Sequence, residues 1–219
     1  VAHRLTPDAQ VLLLVNGMGL AEPVAEAHPG CSVFLATTTQ GAYRRGPLAI
    51  VHAGEGSTAI GSPLATPPPA WMNDWLSTPG ECRWEPDIER ALWQKLAVNC
   101  AINPLTAVHG CRNGALASEP RLIELTARVG EEIAAVCAAA GYPDIATGLH
   151  ERVTAVARAT AANRSSMLQD VAAGRPTEID YITGFLVDTA ARLGIDAPLN
   201  RELMAAVKAL EPAETNASV

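Results

Sequence analysis

Between Leu92 and Asn113 the sequence LWQKLAVNCAINPLTAVHGCRN is a long apolar run interrupted at Lys95, Asn99 and Asn103. These breaks fall four residues apart, and i,i+4 positions share one helix face, drifting by about 40° per step. They form a slanting polar stripe about 12 Å long at ~1.5 Å rise per residue. A helix with a purely structural role fills such positions with Leu or Ala. The chain must therefore fold around a largely buried helix whose polar line needs partners. Neighbouring helices or a ligand can supply them, and the pattern alone does not choose between the two. Pro104 disfavours helical geometry at Asn103, so a kink or a helix end is expected there.

Of the 16 basic residues, only Lys95 and Lys208 are lysines. A chain this committed to arginine keeps a lysine in the middle of its most apolar helix. Guanidinium does not release its proton, whereas a desolvated ammonium can donate one and be re-protonated. Acid chemistry is the reading this position favours.

Composition narrows the class. With 48% hydrophobic and 18% charged residues, the 219-residue chain matches a globular enzyme and is long enough for a substantial core. A net charge of −7 argues against nucleic acid or an anionic membrane as partner. No apolar run approaches a membrane span of roughly 18–20 residues. Cys31, Cys82, Cys100, Cys111 and Cys137 are odd in number and form no CxxC, which suits a reducing cytoplasm. Neither a disulfide framework nor a metal site is expected. Cys100 and Cys137 lie in apolar helical runs and read as small hydrophobes.

The amino-terminal third reads as the end of an α/β sheet. Residues 11–15 are a continuous apolar run, the pattern of a parallel strand buried on both faces. They end in Asn16-Gly17-Met18-Gly19, either an ordinary turn or a place for backbone to approach a ligand. Residues 33–39 form a second strand. Residues 48–51 and 57–60 are expected to pair as a hairpin around Gly54-Glu55-Gly56. The stretch Gly54–Ala59 formally matches G-x-G-x-x-A, but prolines rather than a helix follow it, so it is no nucleotide fingerprint. Residues 67–85, rich in Pro and Gly, read as an interdomain connection with a short amphipathic piece at 71–76. Helices are expected at 87–108, 119–140, 146–162, 165–173, 177–193 and 198–210.

Three further places carry candidate chemistry. Asn113-Gly114 follows the striped helix and is most simply a tight turn with Asn in left-handed geometry. In Asn163-Arg164-Ser165-Ser166, either serine could cap a helix or help hold an anion. In Thr177-Glu178-Ile179-Asp180, Thr177 is a natural cap, and the acids suit the helix dipole without any further role.

Taken together, the Asn16–Gly19 turn, Lys95–Ala107, Asn113-Gly114 and Asn163–Gly184 resemble the ketopantoate reductase (2-dehydropantoate 2-reductase) family, in the family's order and over nearly the whole chain. The resemblance implies the C-terminal portion of a Rossmann NADP-binding domain at 1–86. It implies an all-α domain at 87–219, like the C-terminal domain of 6-phosphogluconate dehydrogenase. The active site would lie in the cleft between them. It implies NADPH as cofactor, ketopantoate as substrate and Lys95 as general acid, with Glu178 also at the catalytic centre. Asn99, Asn103, Asn113, Asn163, Arg164, Ser165 and Ser166 would bind substrate, and Asn16, Ala42 and Glu178 would contact the cofactor. A homodimer is compatible with it. The nearest alternatives are a reductase of another 2-oxo acid and a non-catalytic helical module.

The chain departs from the family at its start. The glycine-rich βαβ unit and the basic residues that read the NADP phosphate are absent, and the sequence opens on Val1 in mid-sheet. This points to a fragment, with an exposed sheet edge and weak or absent NADPH binding as consequences.

Overall fold

A computed structural model describes residues 5–78 and 80–212. The chain divides into two compact units, 1–92 and 93–219.

The first unit is built on a four-stranded mixed sheet in the order β1-β2-β5-β6. Strand β1 (Gln10–Leu14) pairs in parallel with β2 (Ser32–Thr38), and the crossover between them carries helix α1 (Ala21–Ala27). Strand β5 (Ser57–Gly61) runs antiparallel to β2 and parallel to β6 (Glu81–Trp84). Alternation along the strands sorts the side chains onto two faces. On one face Leu12, Ala36, Ile60, Cys82 and Trp84 pack under Trp71, Met72 and Trp75, which lie in or beside helix α2 (Met72–Leu76). On the other, Leu35 and Ala59 pack with Met18, Ile88, Ala91 and Leu92. The T-shaped contacts of Phe34 with Trp71 and Trp84 add aromatic packing on the α2 side.

Three expectations for this unit need correction. The hairpin is formed by β3 (Gly41–Gly46) and β4 (Ala49–Gly54), a separate two-stranded sheet turning at Pro47-Leu48. Glu55-Gly56 instead carries the chain from that ribbon back to β5. Pairing 48–51 with the adjacent 41–46 needs only a two-residue loop, whereas residues 57–60 find better burial between β2 and β6. Residues 81–84 are not connection but a sheet strand. Finally, β1 is not buried on both faces: its residues are half-buried or exposed, and Leu14 at its end and Val15 just after it are 45% and 39% exposed. The Gly54–Ala59 stretch leads from one strand into another, which excludes it as a phosphate cradle.

The second unit is helical. Helix α3 (Ile88–His109) continues through Pro104 to His109, so no helix end occurs at Asn103. Proline there removes a backbone donor and costs about 3 kcal/mol in a helix interior. Burial on all sides of α3 offsets that cost: Trp93, Leu96, Ala97, Cys100, Ala101, Ile102, Leu105 and Ala107 are all buried. A short 3-10 helix (Asn113–Ala117) leads into α4 (Pro120–Ala139), followed by α5 (Pro143–Ala146), α6 (Leu149–Ala159) and α7 (Ser166–Ala172). A π-helical turn (Asp180–Gly184) opens α8 (Phe185–Leu193), and α9 (Pro198–Leu210) ends the described fold. The expected helix at 146–162 is broken at Gly148, which has φ +71°. Helix α4 packs against α5, α6, α8 and α9. Buried Cys100 and Cys137 fill the core as free thiols, as small hydrophobes do. Among the described residues no helix is long and apolar enough to cross a membrane.

Candidate active site

The polar stripe on α3 sinks into the fold as it climbs the helix. Lys95 and Asn99 are half-buried, and Asn103 is 8% exposed. Burial pushes the Lys95 ammonium toward losing its proton, below the ordinary lysine range. The Glu178 carboxylate acts in the opposite sense but only partly offsets the desolvation. Glu178, far from Lys95 in sequence, thus bears on the charge of that lysine. A desolvated ammonium held near a carboxylate is equipped to release a proton and recover it.

One turn beyond Asn103, Thr106 joins α3 to the segment before α7. The Thr106 and Ser165 hydroxyls lie 2.7 Å apart, and Ser165 Oγ also accepts the Leu168 N–H at 3.1 Å. Thr106 Oγ1 lies 3.0 Å from the Ile102 and Asn103 carbonyl oxygens. The proton directions follow: Ser165 donates to Thr106, which donates to a carbonyl of its own helix. Ser165 is therefore the cap of α7, and it is buried. Ser166, Asn163 and Arg164 are exposed.

Asn113 ties the same region together and is not left-handed. It is the first residue of the 3-10 helix, and Gly110, with φ +62°, makes the turn instead. Its backbone N–H donates to the Asn163 carbonyl at 3.1 Å, and Gly114 N–H donates to the Ala161 carbonyl at 3.2 Å. Arg112 Nη1 donates to the Ala162 carbonyl. A Cβ on Gly114 would meet the Ala161 Cβ at 2.7 Å, so only glycine allows this approach. Asn113 Nδ2 donates at 2.9 Å to Thr160 Oγ1, whose own proton goes to the Val156 carbonyl at 2.7 Å. That orientation leaves Asn113 Oδ1 buried and without a hydrogen bond among the described residues. Thr106 and Thr160 were missed as parts of this network. Thr106 continues the polar line of α3 and was legible as such; Thr160 carried no signal.

The remaining candidates lie in the first unit. Asn16 is half-buried at the end of β1, followed by Gly17 with φ +84° and Gly19 with φ +96°. Ala42 is exposed on β3, opposite His52.

Comparison with known proteins completes the picture. Residues 87–211 match the family model "Ketopantoate reductase PanE/ApbA C terminal", and residues 1–64 match "Ketopantoate reductase PanE/ApbA". The chain belongs to the ketopantoate reductase family. It is 40% identical over 209 residues to the 2-dehydropantoate 2-reductase of Vibrio cholerae, covering 94% of this chain and 70% of that relative. Among solved structures it resembles the probable 2-dehydropantoate 2-reductase panE of Bacillus subtilis, at 34% identity and a TM-score of 0.78, covering 95% and 70% of the two chains. It also resembles a PanE/ApbA family ketopantoate reductase from Ralstonia eutropha JMP134, at 28% identity and a TM-score of 0.81, covering 95% and 69%. The fold of the family, a mixed-sheet region followed by a helical domain, is the fold of this chain.

Proposed function

We propose that this chain carries the substrate-binding and proton-donating part of an NADPH-dependent 2-dehydropantoate 2-reductase, which reduces ketopantoate to pantoate. The observation that carries the reading is the half-buried Lys95 ammonium with Glu178 as its countercharge. When bound, NADPH would supply the hydride for the C2 carbonyl carbon. The carbonyl π electrons move to oxygen, and Lys95 Nζ stabilises the growing charge and delivers the proton that completes the alcohol. Asn99 and Asn103, on the same helix face, donate to the substrate carboxylate and hydroxyl. Asn113 offers its unfilled Oδ1 as an acceptor, and the Asn163–Ser166 segment contributes further donors.

Asn16, Ala42 and Glu178 are the cofactor contacts in this reading. The residues suit the nicotinamide end: Gly17 and Gly19 leave the turn after β1 open to close approach, and Glu178 offers acceptor oxygens. Residues 1–86 then form part of a nucleotide-binding domain, and 87–219 form the substrate domain.

Calorimetric titration of ketopantoate into the chain tests the reading. Saturable binding that Lys95→Ala and Asn103→Ala each weaken at least tenfold is expected. Absence of binding, or variants that bind as tightly as the parent, would overturn it.

A further inference from the structure

Glu178 sits in a short segment gripped by the carboxyl end of α9. The Glu211 Oε1 atom accepts two hydrogen bonds from Thr177, one from its backbone N–H and one from its hydroxyl, both at 2.6 Å. Thr177 Oγ1 in turn accepts the Ile179 N–H at 3.2 Å, closing a local turn around Glu178. On the other side, Asp180 Oδ1 lies 2.5 Å from the Lys208 ammonium. Both residues flanking the Glu178-Ile179 pair are thus tied to the carboxyl end of α9, Asp180 to Lys208 in its last turn and Thr177 to Glu211 just after it.

Helix α9 is itself anchored. At its start, the Glu132 carboxylate on α4 accepts the Leu199 and Asn200 N–H groups at 3.0 Å and Asn200 Nδ2 at 2.8 Å. In its middle, the Met204 methyl lies 3.3 Å from where a Cβ of Gly184 would stand, so the π turn and α9 pack without a gap. A π turn is rare and concentrates near functional sites. Here it begins two residues after Glu178.

The two ties differ in weight. Lys208 and Asp180 are 44% and 57% exposed, and a surface ion pair of that kind contributes little. Two short hydrogen bonds to one half-buried carboxylate are charge-assisted and roughly twice as strong as neutral ones. Glu211 is the stronger tie.

We propose that Glu211, with Lys208 in support, is a positioning residue that holds Glu178 at Lys95 through Thr177. This rests on the reading of Lys95 and Glu178 as a functional pair. It adds a part of the machinery that touches neither substrate nor cofactor.

The scarcity of lysine supplies the test. In a Lys208→Arg background, which keeps the ion pair, ¹³Cε-labelled lysine gives a single NMR signal, that of Lys95. Glu178→Gln should lower the Lys95 titration midpoint, because the countercharge is lost. Glu211→Ala should reproduce at least half of that shift. Glu211→Gln removes the same charge but keeps an acceptor for Thr177, and should restore the parent midpoint. In the Glu178→Gln background, Glu211→Ala should add nothing. Thr177→Val, which keeps the N–H but loses the hydroxyl, gives a milder variant with a partial shift in the same direction. A Glu211→Ala protein that keeps its circular dichroism and the parent midpoint would overturn the proposal. So would a Glu178→Gln protein with an unchanged midpoint, or equal shifts in Glu211→Ala and Glu211→Gln. No ketopantoate enters this experiment, so its failure and a failure of substrate binding are separate results.

Discussion

The hydroxyls of Thr106 and Ser165 lie 2.7 Å apart, and through them the central helix α3 holds the start of α7. Ser165→Ala removes a helix cap and the donor to Thr106 together. A loss of about 2 kcal/mol is expected, the upper end for a capping serine. Urea unfolding of the two proteins measures it. A change below about 0.5 kcal/mol would mean that neither bond matters to the fold.

Lys95 should behave as an acid whose proton is needed. Where this helical unit is joined to a glycine-rich nucleotide-binding unit, Lys95→Ala should lower ketopantoate turnover by a factor of roughly 10² or more. Unchanged turnover would leave Lys95 a structural residue only.

The same lysine, as the proposed acid, should set the basic limb of the pH profile. Its folded-state pKa lies below the ordinary 10.5 because desolvation outweighs Glu178. The general acid must be protonated, so activity is retained at lower pH and falls as pH rises through that depressed value. Glu178→Gln should move the limb further toward neutrality. A limb at or above 10.5 contradicts the assignment.

NADPH binding by this polypeptide alone should be weak or absent. The one G-x-G-x-x-A match runs from β4 into β5 and presents no helix N-terminus to a pyrophosphate. Adding ketopantoate and NADPH and following nicotinamide absorbance checks this, and brisk turnover would refute it.

Cysteine reactivity should split by burial. Cys31, Cys82 and Cys111 are partly exposed, whereas Cys100 and Cys137 are buried and their thiols are held protonated by desolvation. A thiol-disulfide reagent should label three groups quickly in the native protein and the last two only on unfolding. Five fast groups would show an open helical core.

The helices were legible in the sequence because their signals are local. The i,i+4 polar stripe, the Ser165 cap and the proline at the start of α9 each act within one or two turns. Pro104 is a local signal too, and α3 does not end there. Its local cost is real, but burial of α3 on every side outweighs it, and burial is not a local property.

Strand partnering was less legible, since partners are chosen by fit across distance. Residues 49–54 pair with 41–46, and Glu81–Trp84 join the main sheet, although the intervening prolines and glycines look like connection. The candidate site divides along the same line. Lys95, Asn99 and Asn103 announce themselves because polar side chains in an apolar helix are costly to bury and must have partners. Glu178 reads by itself as an ordinary acid in a first helical turn. Its relation to Lys95, and the grip of Glu211 on Thr177, exist only once the chain has folded. Electrostatic and hydrogen-bond energies depend on separation in space, and sequence spacing does not report that separation. The sequence alone determined which side chains would need partners; the tertiary structure decided which partners they found.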